Sequence, residues 1–422
     1  MVNDTSRNGP IAQSMVLVHQ SYRLQSPISE QTEHVIVTKA WLDASVLDSD
    51  VMLSVMDDQA RYTYSTYYVE SRSGHEKVHD CHLRRRSAAG GVLILMFRLF
   101  RRRTIICNCI SSSGKHAVIT GATSGIGRAT AMALAQRNWK ITLGCRDITA
   151  ADQVKREITA ATGNRDIRVE HLDLTERPSI DRFAKVFEDV PVHALVNNAG
   201  VMTYSPGRVS SFGGVTVDVA TNYLGTAYLT HLMIPHLRRV HGDSVYYPRI
   251  ILVSSSLASR GHLDALLEPW SPTSQWNAMQ AYSNSKLASC LFARELHRRF
   301  GSGPNKKVDV YCLFTGGMVN TRLSRHMLTN YPAPIQWLWS ILAKLLLKTP
   351  FEGCQSLIHC AVSQNVPGAH CKDSDGNKNF GISGSGLLFS NCVPVPWPDN
   401  MNDMQEAQSL WRETMSFLNI VE

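Results

Sequence analysis

From about residue 115 onward, short apolar runs alternate with longer stretches in which apolar residues recur at helical spacing. The short runs are typical of buried strands, and the longer stretches are typical of amphipathic helices. The runs predict strands at 117–120, 140–145, 167–172, 194–197, 249–254, 307–313 and 386–389. The stretches between them predict helices at 129–137, 150–161, 179–188, 217–239 and 281–300. This alternation predicts an α/β fold with a doubly wound parallel sheet, which binds ligands at the carboxyl ends of its strands.

The first part of the chain does not show this alternation. Only 34–37 and 51–53 have the character of short strands, and we predict that residues 1–110 form a largely disordered extension. A short basic and apolar segment at 84–103 places six apolar residues, from Val92 to Phe97, between two arginine triplets. It is too short to span a membrane, since a span needs about 20 apolar residues. Contact with an anionic membrane face and a solvated linker remain equal alternatives.

Composition narrows the class of protein. The chain has 422 residues, 44% of them hydrophobic, and a net charge of +8. Such a charge favours phosphates or anionic surfaces, but by itself it does not indicate a nucleic-acid partner. The ten cysteines form no Cys-x-x-Cys pair and have no zinc-ligand spacing with histidine, so we predict reduced thiols and no metal site. No secretory signal opens the chain, which favours an intracellular protein.

A glycine-rich turn directly follows the predicted strand at 117–120. It contains Gly121, Ala122, Thr123, Ser124, Gly125, Ile126 and Gly127. The first glycine allows a tight turn, the second allows a pyrophosphate to come close to the backbone, and the third allows the next helix to pack on the strand. The helix N-terminus then offers free N–H groups to phosphates. The motif predicts a phosphate-bearing cofactor, although alone it is a weak signal.

A second motif is Tyr282-Ser283-Asn284-Ser285-Lys286. Tyr282 and Lys286 share one helix face at this spacing, and a lysine charge near the phenol lowers the tyrosine pKa. Such a tyrosine exchanges a proton with a carbonyl or alcohol oxygen. A strand that ends in Ser254, Ser255 and Ser256 precedes it and supplies hydroxyls that can hold that oxygen.

Together these motifs resemble those of the short-chain dehydrogenase/reductase family, over about residues 115 to 365. Five motifs occur in the family's order: the glycine-rich turn, Asp173-Leu174, Asn197-Asn198-Ala199-Gly200, Val253-Ser254-Ser255 and Tyr282…Lys286. The resemblance implies a Rossmann fold and one catalytic domain at 112–422 with a substrate-capping segment near its C-terminus. It also implies a nicotinamide cofactor.

The resemblance also implies roles for individual residues. It makes Ser255 the catalytic serine, with Ser254 and Ser256 as the alternatives if the register differs, and it makes Asn222 the support of a proton relay beside Lys286. Tyr282 is the implied acid–base, and Lys286 also holds the cofactor ribose. The implied cofactor-binding residues outside the glycine-rich turn are Asp173, Leu174, Asn198, Ala199, Gly200, Gly317, Val319 and Thr321.

The end of the second predicted strand bears on the choice of cofactor. Cys145 ends it and Arg146 follows, and a guanidinium fits the 2′-phosphate of NADP. We therefore predict NADP, with NAD less favoured. A strand that ends one residue later would instead place Asp147 at the ribose and favour NAD.

Further stretches resemble the retinol dehydrogenase branch, among them Leu347-Lys348-Thr349-Pro350-Phe351-Glu352-Gly353. That branch implies a lipophilic alcohol, aldehyde or ketone and a location in the cytoplasm or on an organelle membrane.

The amphipathic stretch at 334–348 either caps the substrate pocket or lies on a membrane. Homodimer formation through the helices of Asn222 and Tyr282 is also implied. Gly316 replaces the family's proline and should loosen that turn. The alternative function is a non-catalytic, cofactor-binding scaffold.

Overall fold

The computed structural model describes residues 114–239, 247–271, 276–302, 306–317, 319, 321, 347–363 and 385–421, together with four strands nearer the N-terminus. The chain divides into two units, 1–86 and 87–422. In the first unit, β1 (Gln20–Gln25) pairs with β2 (Thr32–Val37) and β3 (Ser54–Met56) pairs with β4 (Tyr62–Tyr64), both antiparallel. The strand predicted at 34–37 lies within β2. The described residues do not include 51–53, the segment at 84–103 or residues 334–346 of the amphipathic stretch. The predicted division into extension and catalytic domain therefore stays a prediction.

The second unit is built on one large sheet. Its strands are β5 (His116–Thr120), β6 (Lys140–Cys145), β7 (Ile167–His171), β8 (Ala194–Asn197), β11 (Arg249–Ser254), β12 (Asp309–Phe314), β13 (Leu388–Ser390) and β14 (Val393–Val395). They lie in the order β14-β13-β12-β11-β8-β5-β6-β7. All neighbours are parallel except β13 and β14. A separate ribbon pairs β9 (Arg208–Val209) with β10 (Val215–Thr216).

Helices pack on both faces of this sheet. They are α1 (Gly125–Ala135), α2 (Ile148–Thr162), α3 (Arg177–Lys185), α4 (Val217–Val219), α5 (Gly225–Arg238), α6 (Ala278–Leu296), α7 (Pro350–Gly353), α8 (Gln355–Val362) and α9 (Met404–Phe417). A π-helical turn, Ala220–Leu224, joins α4 to α5. One hydrophobic cluster lies under α3, α5, α6 and α9, and another lies under α1, α2 and α8. This confirms the predicted doubly wound α/β fold.

The alternating pattern predicted these elements because central strands are buried on both faces. Every residue of β5 and β8 is buried, and such strands read as uninterrupted apolar runs. Helix ends follow local chemistry. Asn277 caps α6 by accepting a hydrogen bond from the Gln280 N–H, and Gly163 ends α2 with φ +74°. The boundaries differ from the predicted ones by a few residues, as at the start of α6.

The structure adds elements that the sequence pattern did not predict. Among them are the short helices α7 and α8, the edge strand β14, the ribbon of β9 and β10, and α9. The last helix packs against α6, where the Trp411 and Phe292 rings stack with centroids 5.1 Å apart. The Tyr223 hydroxyl also hydrogen-bonds Thr414 at 2.5 Å. Homodimer formation stays a prediction.

Two predictions about cellular context can be compared with the described residues. Their cysteines are Cys145, Cys290, Cys312, Cys354, Cys360 and Cys392, and all are buried and outside any disulfide bond. Across the same ranges no helix is both long enough and apolar enough to cross a membrane.

Candidate active site

The glycine-rich turn lies where the sheet order reverses, between β5 and β8. Gly121 has φ +66°, and a Cβ on it would lie 2.8 Å from the Ala199 Cα. A Cβ on Gly127 would lie 2.6 Å from the Gly121 carbonyl oxygen. Both positions therefore require glycine. The turn leads into α1, and the side chain of the N-cap Ser124 forms no capping hydrogen bond. The first N–H groups of α1 thus lack that side-chain cap, as a phosphate site requires.

Asn198 ties this turn to the end of β8. Its side-chain amide donates hydrogen bonds to the carbonyl oxygens of Thr120 (2.9 Å) and Gly121 (3.3 Å). The Thr120 hydroxyl in turn accepts from the backbone N–H groups of Asn198 and Ala199 at 3.0 and 2.9 Å. The predicted residues Asn198 and Ala199 therefore fix the crevice between two strand ends. Open doubly wound sheets bind their ligands in such a crevice.

Asn222 lies in the π-helical turn between α4 and α5. Its carboxamide accepts a hydrogen bond from the Val201 N–H (2.7 Å) and donates to the Val201 carbonyl oxygen (2.8 Å) and to Ser285 Oγ (3.0 Å). The side chain thus joins the loop after β8 to α6. π-Helical turns occur frequently at functional sites. Gly200 lies close by, since a Cβ there would be 3.2 Å from Lys286 Nζ and 3.4 Å from Asn222 Oδ1.

Tyr282 and Lys286 lie one turn apart on α6 and are both buried. Lys286 Nζ lies 5.7 Å from the centroid of the Tyr282 ring and donates a 3.0 Å hydrogen bond to the Val253 carbonyl oxygen. Ser255 interacts with the Tyr282 phenol through a side-chain hydrogen bond. The structure therefore brings Asn222, Tyr282, Lys286 and Ser255 together beside the crevice.

The three consecutive serines have different positions. Ser254 is buried at the end of β11, and its hydroxyl donates to the Lys286 carbonyl oxygen at 3.0 Å. Ser255 follows the strand and faces Tyr282, while its hydroxyl also accepts from the Leu257 N–H at 3.2 Å. Ser256 begins a 3₁₀ turn, Ser256–Arg260. Of the three serines, Ser255 is the one that interacts with the Tyr282 phenol, and its catalytic role stays a prediction.

The pKa values differ from the sequence expectation. Burial raises the pKa of Tyr282 to about 12, and the hydrogen bond with Ser255 only partly offsets this effect. Burial also lowers the pKa of Lys286 to about 8. We had expected the lysine charge to lower the tyrosine pKa toward neutrality. Desolvation is the largest cause of both shifts, because burial disfavours the charged form of each group. The phenol is therefore protonated at neutral pH.

Arg146 and Asp147 follow β6 with different partners. The Asp147 carboxylate caps α2 by accepting a 2.9 Å hydrogen bond from the Ala150 N–H. Arg146 is exposed. At the strand end itself, the Cys145 thiol contacts the backbone of Ala122 and Thr123, and burial raises its pKa to about 11. The position at which NAD enzymes usually have a carboxylate is thus occupied by a neutral thiol.

Asp173 and Leu174 lie after β7. The Asp173 carboxylate accepts hydrogen bonds from the Thr175 N–H (2.9 Å) and the Thr175 hydroxyl (2.7 Å). Leu174 is buried, and a Cβ on Gly225 would lie 2.0 Å from its carbonyl oxygen. Both predicted residues therefore belong to a tightly packed turn on the same side of the crevice as β6.

Gly317, Val319 and Thr321 follow β12. A Cβ on Gly125 would lie 3.0 Å from Thr321 Cγ2, and one on Gly353 would lie 2.9 Å from Val319 Cγ2. The segment therefore crosses to the glycine-rich turn, as a segment that contacts the same cofactor would.

The preceding turn is held by groups that sequence reasoning missed. The Lys348 amine donates hydrogen bonds to the Thr315 carbonyl oxygen (3.4 Å) and to Asn391 Oδ1. Gly316 has φ +73°, which a proline cannot adopt, and a Cβ on it would lie 2.1 Å from Asn391 Oδ1. The glycine thus permits a close three-way contact in place of the loosened turn that we expected. One sequence feature could have revealed this role of Lys348. It lies next to Thr349 in the stretch that resembles the retinol dehydrogenase branch.

Sequence reasoning also missed Asp218. This carboxylate is fully buried on α4, and its two oxygens accept hydrogen bonds from the backbone N–H (3.2 Å) and the hydroxyl of Thr203. Burial raises its pKa to about 6. Its position four residues before Asn222 was a signal, since residues i and i+4 on a helix are neighbours.

Comparisons with known proteins show which family this chain resembles. A family model described as short chain dehydrogenase matches residues 115–267. Human retinol dehydrogenase 11 is 35% identical over 287 residues, which is 65% of this chain and 84% of that protein. Bovine retinol dehydrogenase 12 is 32% identical over 311 residues, 73% of this chain and 87% of that protein. A crystal structure of an uncharacterized protein from Mycobacterium paratuberculosis superposes with a TM-score of 0.54 and 25% identity, over 74% of this chain and 96% of its own.

Proposed function

The chain belongs to the short-chain dehydrogenase/reductase family, in its retinol dehydrogenase-like branch, and on this basis we propose that it is an NADP(H)-dependent oxidoreductase. We propose that it interconverts a lipophilic alcohol and its aldehyde or ketone. The observation that carries the proposal is the convergence of Asn222, Ser255, Tyr282 and Lys286 beside the glycine-rich crevice.

Each of these side chains has a proposed role. Ser255 orients the substrate oxygen, and Tyr282 exchanges a proton with it. Lys286 holds the cofactor ribose and supplies the positive charge beside the phenol. Asn222, bonded to both Val201 and Ser285, supports the proton relay. The phenol is protonated at neutral pH, so in carbonyl reduction it is the group that we propose donates its proton to the substrate oxygen.

The residues present fit a nicotinamide dinucleotide. The positive φ of Gly121 and Gly125, and the lack of a side-chain cap at Ser124, leave backbone N–H groups for a pyrophosphate. When bound, NADP(H) supplies or accepts the hydride at the reacting carbon. The remaining proposed cofactor contacts are Ala122, Thr123, Ile126, Gly127, Asp173, Leu174, Asn198, Ala199, Gly200, Gly317, Val319 and Thr321.

The proposed preference for NADP rests on the end of β6. Asp147 is engaged as a helix cap, whereas Arg146 is exposed and can reach a 2′-phosphate. A neutral Cys145 offers no competing carboxylate. These observations support the Arg146 guanidinium, rather than the Asp147 carboxylate, as the group that binds at the 2′-position of the cofactor ribose.

The proposed substrate class follows from the relatives named retinol dehydrogenase. We propose a lipophilic carbonyl or alcohol, of which retinal and retinol are the first to test. A location in the cytoplasm or on the surface of an organelle membrane stays part of the proposal.

The test is a comparison of the full chain with its Tyr282→Phe variant, assayed with NADPH and retinal. Loss of the phenolic proton donor should lower kcat by about 10²- to 10⁴-fold while leaving the fold intact. Unchanged turnover in the variant would refute the mechanism. If NADPH raises the melting temperature of the wild-type chain but a panel of lipophilic carbonyls gives no turnover, the non-catalytic scaffold is the better function.

A further inference from the structure

A buried carboxylate lies beside the proposed catalytic residues and has no role in the mechanism above. Asp218 is 0% exposed and lies on α4, four residues before Asn222. A buried ionisable group is costly unless it is well paired, so its neighbours indicate its role. In the described residues, no arginine or lysine forms a direct ion pair with Asp218.

The first set of neighbours is the loop after β8. Asp218 accepts hydrogen bonds from the backbone N–H and the hydroxyl of Thr203, and Asn222 bonds both backbone groups of Val201. Two side chains from one helical stretch thus hold alternate residues of this loop. The loop continues directly from Gly200, which lies against Lys286 and Asn222. A shift of the loop would therefore move the groups around the Lys286 amine.

The second set of neighbours is charged or titratable. Lys286 and Tyr282 face Asp218 from α6, and Tyr204 faces it from the loop. The Asp218 charge raises the pKa of each of these three groups. An anion favours the protonated form of a nearby amine, because that form is positive. It also favours the protonated form of a nearby phenol, because the deprotonated form is negative and is repelled.

We propose that Asp218 is a positioning residue for the reaction. Its carboxylate holds the loop at Val201–Thr203 against the helix of Asn222, and its negative charge helps to keep the proton on Tyr282 and the positive charge on Lys286. The inference rests on the proposed function, because it assigns Asp218 to the same acid–base pair.

Two variants separate the effects of charge and of loop contact. Asp218→Asn keeps an oxygen that can accept from the Thr203 N–H but removes the charge. Thr203→Val removes the hydroxyl donor but leaves the carboxylate in place. Both should raise the KM for the carbonyl substrate, because both weaken the attachment of the loop. Only the Asp218→Asn variant should change the pH dependence.

The measurement is kcat/KM for carbonyl reduction with saturating NADPH between pH 6 and 10. In Asp218→Asn the alkaline limb should move to lower pH by about one unit, whether the loss of the Tyr282 proton or of the Lys286 charge sets it. In Thr203→Val the limb should stay at the wild-type pH. If Asp218→Asn does not fold, Asp218→Ser provides a second neutral side chain for the same measurement.

The outcomes distinguish this inference from the proposed function. If Tyr282→Phe abolishes turnover but the neutral Asp218 variants leave the alkaline limb unchanged, the role of Asp218 is refuted and the proposed function stands. An equal shift of the limb in Thr203→Val would also refute it, because the effect would then come from the loop alone. If Tyr282→Phe retains full turnover, the proposed function itself fails.

Discussion

The Asp147 carboxylate accepts a 2.9 Å hydrogen bond from the Ala150 N–H and so caps α2 directly beside the exposed Arg146. A carboxylate that caps α2 is oriented toward the helix N-terminus. The adjacent Arg146 carries no such constraint and is exposed. Local capping chemistry thus gives these two neighbouring residues different surroundings, which supports the proposed preference for NADP.

We expect Arg146→Ala and Asp147→Ala to have different effects. Loss of the guanidinium should lower kcat/KM for NADPH by about 10- to 100-fold and change that for NADH much less, because one charge-assisted contact to a phosphate is lost. Loss of the Asp147 cap should instead lower the free energy of unfolding by about 1 kcal/mol with an unchanged NADPH/NADH ratio. Steady-state kinetics with both cofactors and urea unfolding measure these effects. A reversed ratio in Asp147→Ala would indicate that NAD is the cofactor.

The two serines at the end of β11 provide a matched pair. Ser255→Ala should lower kcat by about 10²-fold or more, because it removes the hydroxyl beside the Tyr282 phenol. Ser254→Ala removes the hydrogen bond to the Lys286 carbonyl oxygen and should mainly lower stability, by about 1 kcal/mol. Turnover and thermal melting of both variants check this. Greater loss of kcat in Ser254→Ala would show that the catalytic register lies one residue earlier.

The turn at Gly316 should affect cofactor binding. Gly316→Ala places a Cβ within 2.1 Å of Asn391 Oδ1 and should displace the Lys348 contact, so we expect the KM for NADPH to rise several-fold. Gly163→Ala is the control, since Gly163 has φ +74° but a Cβ there meets no atom within 4 Å. Both variants should lose about 1 kcal/mol of stability from backbone strain. An equal KM in the two variants would argue against a role for this turn in cofactor binding.

Asp218 also predicts a pH dependence of stability that requires no activity assay. Its folded pKa is raised from 3.8 to about 6, so its contribution to stability is fully present below pH 3.8 and is lost as the pH rises through about 6. Asp218→Asn lacks this loss. Relative to the wild type, its free energy of unfolding should therefore rise between pH 4.5 and 7, by an amount on the order of 2 kcal/mol. Urea unfolding at the two pH values measures the difference, and a difference independent of pH would contradict the raised pKa of this carboxylate.

The sequence by itself determined the alternating elements and the main motifs, because each depends on neighbours along the chain. Buried strands such as β5 and β8 appear as apolar runs, and the spacing of Tyr282 and Lys286 follows from the helical repeat. The glycines at Gly121 and Gly127 were likewise anticipated from the motif, but the contact of Gly121 with Ala199 comes from the tertiary structure.

Only the tertiary structure decided which distant groups meet. The contacts of Asp218 with Thr203, of Lys348 with Asn391, and of α9 with α6 join segments that no periodicity connects. The pKa of Tyr282 was misjudged from sequence for the same reason. The helical spacing indicates that a lysine lies near the phenol. The desolvation that raises the phenol pKa to about 12 depends instead on the segments that bury Tyr282 in the folded chain.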